Sequence, residues 1–172
     1  MSGSSFEAEF RAVFAARMPE LLRYLDRLCG DHAQASDIAQ ETFVRLFERG
    51  EMPGDVRAWL GTVANNQFRD DRRRAGRRRV LLASRTPEHT LGDAPIAPDA
   101  ALLLDERRSA VRAALERLPE RDRALLLLRH EGYSYSELAH TLGIAAASVG
   151  SRLARATAAF SRALDGRADA ER

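Results

Sequence analysis

Residues 133–156 read Tyr133-Ser134-Tyr135-Ser136-Glu137-Leu138-Ala139-His140-Thr141-Leu142-Gly143-Ile144-Ala145-Ala146-Ala147-Ser148-Val149-Gly150-Ser151-Arg152-Leu153-Ala154-Arg155-Ala156. Ser134 followed three residues later by Glu137 is a capping box and opens a short helix that runs to Leu142. Gly143-Ile144 makes a tight turn, and a longer helix follows from about Ala146 to Leu164. A short helix, a glycine turn and a longer helix form the helix-turn-helix pattern. Its apolar positions agree with one another. Leu138, Ala139 and Leu142 face inward, Ala139 is small where the two helices cross, and Ile144 plugs the turn. Val149, Leu153, Ala156 and Phe160 make one stripe on the second helix. Ser148, Ser151 and Arg155 project from the other side, with Arg152 at its flank. Short polar residues near a helix N-terminus, followed by arginines, suit entry into a DNA major groove. An ordinary helical hairpin with a solvated polar face is the plainer alternative.

Upstream, Pro119 with Glu120 and Asp122 close behind marks a helix start, and that helix ends before Gly132. Asp99 caps a helix through about Arg117. Between about Ala83 and Pro98 the helical period fails: Ser84, Thr86, Pro87, Gly92, Pro95 and Pro98 interrupt it. This is a linker of some fifteen residues, able to stretch to roughly 50 Å at ~3.3 Å per residue.

The amino-terminal half reads as four helices. Phe6, Phe10, Val13 and Phe14 form one apolar face, ending near Arg17. Pro19 permits a fresh start for a second helix, with Leu21, Leu22, Leu25 and Leu28 inward and Gly30 as C-cap. Asp31 and Gln34 cap a third helix, with a break near Ser36 left open, that runs to about Arg49. Pro53-Gly54-Asp55 is a turn and N-cap for a fourth, from about Val56 into an arginine run.

The composition agrees with this helical reading. The chain has 172 residues, 45% hydrophobic and 30% charged, with only 11 glycines and 6 prolines. The expected fold class is all-α: two small helical domains joined by a flexible linker, the second containing the helix-turn-helix. The boundaries are 1–79, 80–98 and 99–172. No apolar run reaches the roughly 20 residues of a membrane span, and no signal peptide opens the chain. The single Cys29 excludes an internal disulfide and a cysteine-based zinc site. A soluble, cytoplasmic protein is expected.

Charge is informative by its placement. The formal net charge is only +2, yet all 27 basic residues are arginine and seven of them fall between Arg69 and Arg79. The fourth helix passes from Trp59 and Leu60 through Asn65, Asn66 and Gln67 to Arg69, Arg72, Arg73, Arg74 and Arg77–Arg79. Amides can bond base edges and clustered arginines neutralise phosphate, although Asp70 and Asp71 dilute the run. Trp59 reads as a core anchor more readily than as a stacking platform. The third helix is different. Ala39, Thr42, Phe43, Leu46 and Phe47 go to one side, and Asp37, Gln40, Glu41 and Glu48 to the other, with Val44 among them. A net-acidic face with one apolar residue at its centre fits docking on a basic protein surface; a plain solvated face is the usual explanation of such a pattern.

The order of these segments carries a resemblance. Asp37-Ile38-Ala39-Gln40-Glu41-Thr42-Phe43, Trp59-Leu60 and Ala64-Asn65-Asn66 with an arginine-rich end resemble region 2 of bacterial sigma factors. Leu118-Pro119-Glu120-Arg121, Leu125–Leu128, Gly132 through Ala139, Leu142-Gly143-Ile144 and Ser148 through Leu153 resemble region 4. The chain is thus similar to a compact extracytoplasmic-function sigma factor from Phe6 to Leu164. The resemblance implies that the first domain docks on the β′ clamp helices of core RNA polymerase, opens the −10 element and captures its non-template strand. It implies that the second domain reads the −35 element and meets the β flap.

Carried over by position, Asp37, Gln40, Glu41, Val44 and Glu48 are the polymerase-binding set. Asn65, Asn66, Arg69, Arg72 and Arg73 are the −10 set, and Ser148, Ser151, Arg152 and Arg155 the −35 set. Three positions depart from the pattern: Asn65 stands where arginine is usual, Asp71 lies in a usually basic stretch, and Gly150 replaces a typical lysine.

An anti-sigma partner stays open. So do two rivals: a polymerase-independent helix-turn-helix regulator, which leaves the acidic and Asn/Arg helices unexplained, and a sigma-like decoy that titrates an anti-sigma factor. An enzyme is not expected. His32, His89, His130 and His140 have no metal-ligand spacing, and no phosphate loop or nucleophile motif occurs. No catalytic residue, cofactor or metal is assigned.

Overall fold

In the computed structural model the described residues are 3–82 and 99–168. They form seven helices and, among the described residues, no strand: α1 (Gly3–Cys29), α2 (His32–Arg49), α3 (Val56–Leu82), α4 (Asp99–Glu116), α5 (Glu120–His130), α6 (Tyr135–Leu142) and α7 (Ala146–Ala168). Of the linker expected at 80–98, residues 83–98 lie outside the described residues, whereas Val80, Leu81 and Leu82 continue α3 and belong to that helix.

Short polar signals set the helix ends. Asp31 accepts the Gln34 N–H to start α2, and Gly50 closes it at φ 73°. Asp55 accepts the Ala58 N–H at the head of α3. Ser134 and Glu137 make both bonds of a capping box on α6, and Gly143 ends it at φ 61°. Such a positive φ strains any residue with a Cβ, so glycine belongs at both closures.

Several expectations about the elements need correction. The two helices proposed on either side of Pro19 are one 27-residue helix. A proline inside a helix removes one backbone bond and costs about 3 kcal/mol in isolation. Here Phe10, Val13 and Met18 before it and Leu21, Tyr24, Leu25 and Leu28 after it pack on the same core, and that burial keeps the register. α2 likewise runs through Ser36 without a break. Phe47, assigned to the buried side, is 51% exposed. It is covered on one side only, by the rings of Phe6 and Phe10 at 6.0 and 5.2 Å. The last helix also continues past Leu164 to Ala168.

The helices fall into two groups, α1–α3 and α4–α7. Tyr24, Leu25, Leu28, Ile38, Phe43, Leu46, Leu60 and Phe68 fill the first; Leu125, Leu128, Leu138, Leu142 and Val149 fill the second. The two interiors meet. A single cluster of buried side chains runs through both groups, joined where α3 lies against α6 and α1 against α5.

Cys29 ends the apolar face of α1 half-buried, and burial pushes its thiol up to about 12, so it stays protonated at neutral pH. Only the thiolate reacts. We expect alkylation of Cys29 by iodoacetamide at pH 7.5 to be slow in the native protein and fast in denaturant; equal rates would place Cys29 outside the fold.

Candidate nucleic-acid interface

Three surfaces matter, one on each of α2, α3 and α7. On α2 the burial pattern separates the faces as the spacing requires. Ile38, Ala39, Thr42, Phe43 and Leu46 are buried, whereas Asp37, Gln40, Glu41, Val44 and Glu48 are all exposed. Thr42 satisfies its hydroxyl inside, donating to the Ile38 carbonyl at 2.7 Å and bonding Gln67 at 3.1 Å. Val44 is 49% exposed. An aliphatic side chain held in water amid carboxylates gains by covering. Within the set, Glu41 pairs with Arg45 at 2.9 Å and the Gln40 amide donates to the Ser36 hydroxyl at 3.2 Å. Both are exposed contacts one helical turn apart.

On α3 the five residues assigned by sequence do not stay together. Asn66, Arg72 and Arg73 are exposed and Arg69 is half-exposed. Asn65 is 2% exposed. It accepts the Tyr24 hydroxyl at 2.7 Å and donates to the Gly61 carbonyl at 2.9 Å. Its amide therefore serves the core between α1 and α3 and is turned away from the surface that Asn66 occupies. Burial holds the Tyr24 phenol well above its ordinary range, with the Asn65 hydrogen bond opposing it. Gln67 is also committed inward, to Thr42. Arg73 and Arg74 pair loosely with Asp70 and Asp71, at 3.6 and 3.8 Å. These are exposed pairs, weak enough for phosphate to replace the carboxylates.

On α7, Val149 and Ala156 are fully buried while Ser151 and Arg155 are exposed, as the stripe predicts. Ser148 and Arg152 are half-buried at the flank. The Ser151 hydroxyl donates to the Ser148 carbonyl at 3.1 Å, and Arg155 Nε leans on the Ser151 carbonyl at 3.4 Å. Both side chains are folded along their own helix and can swing outward. A Cβ built on Gly150 meets only Tyr135, at an ordinary 3.7 Å, so a side chain fits there.

α6 supports α7 through its cap. Burial alone would raise the Glu137 carboxyl, but the Ser134 backbone N–H and hydroxyl, with Arg57 nearby, hold it below the usual carboxylate range. A depressed pKa stabilises the fold above the unfolded value near ~4.3 and ceases to do so as pH falls through the folded value. We expect Glu137→Gln to cost about 1 kcal/mol at pH 7, in line with loss of a capping interaction. Denaturant titrations should show the difference closing in acid. A gap unchanged at pH 3 would mean the charge is irrelevant to the cap.

Sequence reasoning missed Arg57 on α3. Its guanidinium bonds Glu20 at 2.6 Å and lies 4.1 Å over the Tyr133 ring. It also donates to the carbonyls of Glu131 and Gly132 and sits 3.6 Å from Glu137. Nothing in its own neighbourhood of sequence signals this, because four of its partners lie more than seventy residues away. Among the described residues no group of three or more His, Cys, Asp and Glu is placed to hold a metal, and no helix is long and apolar enough to cross a membrane.

Comparison with known proteins gives this arrangement its class. Residues 13–78 match the family model for Sigma-70 region 2, and residues 108–159 that for Sigma-70, region 4. The chain is 38% identical over 154 residues to the ECF RNA polymerase sigma factor SigL of Mycobacterium tuberculosis, covering 85% of this chain and 83% of that one. Among solved structures it is similar to the sigma factor RpoE of Bartonella quintana in complex with the anti-sigma factor NepR. There the TM-score is 0.71 at 23% identity, over 91% of this chain and 97% of that one. It is also similar to CnrH in complex with the cytosolic domain of CnrY, with TM-score 0.67 at 24% identity, over 96% and 93% of the two chains. The chain belongs to the sigma-70 family, as a sigma factor of the extracytoplasmic-function type. As such it binds core RNA polymerase and promoter DNA and directs transcription initiation.

Proposed function

We propose that the three surfaces divide the work of initiation. The exposed acidic face of α2, Asp37, Gln40, Glu41, Val44 and Glu48, docks on the β′ clamp helices. Asn66, Arg69, Arg72 and Arg73 on α3 engage the −10 element, with Asn65 holding α3 to α1 from behind. Ser148, Ser151, Arg152 and Arg155 on α7 read the −35 element. The chain itself supplies no catalytic group; bond formation belongs to the polymerase. An anti-sigma factor is the expected regulator, because the structurally similar RpoE was solved in complex with one, NepR. The observation that carries the reading is the coexistence of an acidic, polymerase-type face and a basic, DNA-type face on adjacent helices, with a helix-turn-helix in the same chain. A helix-turn-helix regulator needs only the last of these.

The −35 assignments separate by kind of contact. An arginine bidentate to guanine contributes about 1–3 kcal/mol of discrimination, whereas a phosphate contact weakens all sequences alike. Arg155→Ala should relax preference within the −35 element and Arg152→Ala should weaken binding uniformly. Gly150→Lys should strengthen binding without altering preference, since glycine costs a helix about 1 kcal/mol and the site has room. Transcription by core polymerase from promoters randomised only at −35 measures all three. If none changes affinity or preference, α7 is not the reader.

A further inference from the structure

We propose that the cleft between α3 and the head of α5 is an anion site, and that its ligand is a small molecule carrying a diphosphate group. Such a site lies outside the division of surfaces above, although it shares Arg69, Arg72 and Arg73 with the −10 set.

Arg69, Arg72 and Arg73 of α3 and Glu120 and Arg121 of α5 line this cleft, whose volume of about 490 Å³ falls in the ordinary range for small ligands. Packing between the two helical groups holds its walls in place. Gly61 of α3 sits against Thr141 of α6, where a Cβ would lie 3.0 Å from Thr141 Cγ2. The Glu131 carboxylate takes Arg27 of α1 at 2.7 Å and Arg23 at 3.3 Å. The lining is short of negative charge. Among the described residues its four arginines have only two carboxylate partners, Glu120 and Asp70, an excess of two positive charges. Even those two pair loosely. Glu120 lies 3.5 Å from Arg69 and 3.9 Å from Arg72, and Asp70 lies 3.6 Å from Arg73, all beyond good hydrogen-bond length.

Two further features point to an anion. α5 starts after Pro119 with no side chain capping it. The Asp122 and Arg123 N–H groups turn back to the Pro119 carbonyl at 2.9 and 3.0 Å, whereas those of Glu120 and Arg121 have no partner among the described residues. A helix start so arranged attracts phosphate. Behind the cleft, Arg123 is 6% exposed and its Nε has no hydrogen-bond partner among the described residues. Its guanidinium lies 5.9 Å from the centre of the Phe68 ring, which Arg72 approaches at 5.8 Å. Burial first, then the charge of Arg72, holds that guanidinium below the ordinary arginine range, against the pull of Glu120 and Glu116. A buried cation beside further cations is costly, and an anion held across them relieves that cost. Arginine forks match phosphate oxygens bidentately, and an excess of two charges calls for more than one phosphoryl group. A DNA backbone also offers phosphates to the α3 arginines. Arg121 separates the two sources, because it stands on α5, outside the −10 set.

Inorganic pyrophosphate is the probe, titrated into the free protein by calorimetry, with sulfate at matched ionic strength as the comparison. Wild type is expected to bind one pyrophosphate per chain, at least tenfold more tightly than sulfate. Arg121→Ala should weaken pyrophosphate binding at least tenfold with its urea midpoint unchanged. Its promoter-specific transcription with core polymerase, in the absence of pyrophosphate, should stay at the wild-type level. Glu120→Gln, which removes the competing carboxylate, should bind pyrophosphate several-fold more tightly. Absence of saturable binding by wild type, or equal binding by Arg121→Ala, would overturn the site. So would an Arg121→Ala protein that loses transcription as Arg72→Ala does, because these arginines would then serve DNA phosphates together. A wild type that binds pyrophosphate but directs no transcription would support the site and strike the assignment of function instead.

Discussion

Asp37→Arg combined with Glu41→Arg is expected to abolish capture of the protein by core RNA polymerase while leaving its helix content unchanged. Both side chains are exposed on the outer face of α2, and neither contributes to the core formed by Ile38, Ala39, Phe43 and Leu46. Within the fold the double change breaks one exposed ion pair, Glu41 with Arg45, of the kind that stabilises a protein by less than about 1 kcal/mol. Docking is different. Reversing two charges in an interface of complementary potential brings like charges together and costs several kcal/mol, enough to reduce binding roughly a thousandfold or more. Pull-down alongside circular dichroism separates the two effects. Undiminished capture would remove α2 from the polymerase interface.

Asn65 and Asn66 are adjacent in sequence and should behave oppositely. Asn65→Ala leaves the buried Tyr24 hydroxyl without an acceptor, an omission that costs about 1–3 kcal/mol. A lowered midpoint in urea is the expected result, with −10 preference unchanged at temperatures where the variant is folded. Asn66→Ala removes an exposed amide and should scarcely alter stability, but it should change which −10 sequences are used. If Asn65→Ala alters −10 preference without loss of stability, the side chain reaches DNA in the open complex and the core assignment is wrong.

The contrast between these two residues shows what could be read from sequence and what could not. The helix-turn-helix was legible because its signals are local: Ser134, Glu137 and Gly143 fix both ends of α6 within a short stretch, and the stripe from Val149 to Phe160 sets the inward face of α7. The sorting of α2 was legible for the same reason, except at Phe47, where the partners Phe6 and Phe10 cover one side alone. Pro19 misled because a local breaker was outweighed by packing on both sides of it. Asn65 misled because an amide in an arginine-rich helix looks the same whether it faces DNA or a tyrosine 41 residues away. The domain contact had one sequence trace, a glycine inside α3, which signals close approach of a neighbour. Its other determinants, Arg57, Glu120 and Glu131, are ordinary charged residues until the fold brings their partners to them.

The most direct measurement is transcription by core polymerase, with and without the protein, from a library randomised across both promoter elements and the distance between them. The protein is expected to select two separate elements at a preferred spacing. Asn66→Ala should change the downstream element alone, and Arg155→Ala the upstream element alone. Transcripts drawn from the library without sequence preference, or one element altered equally by both variants, would contradict a chain that reads its promoter with two separate domains.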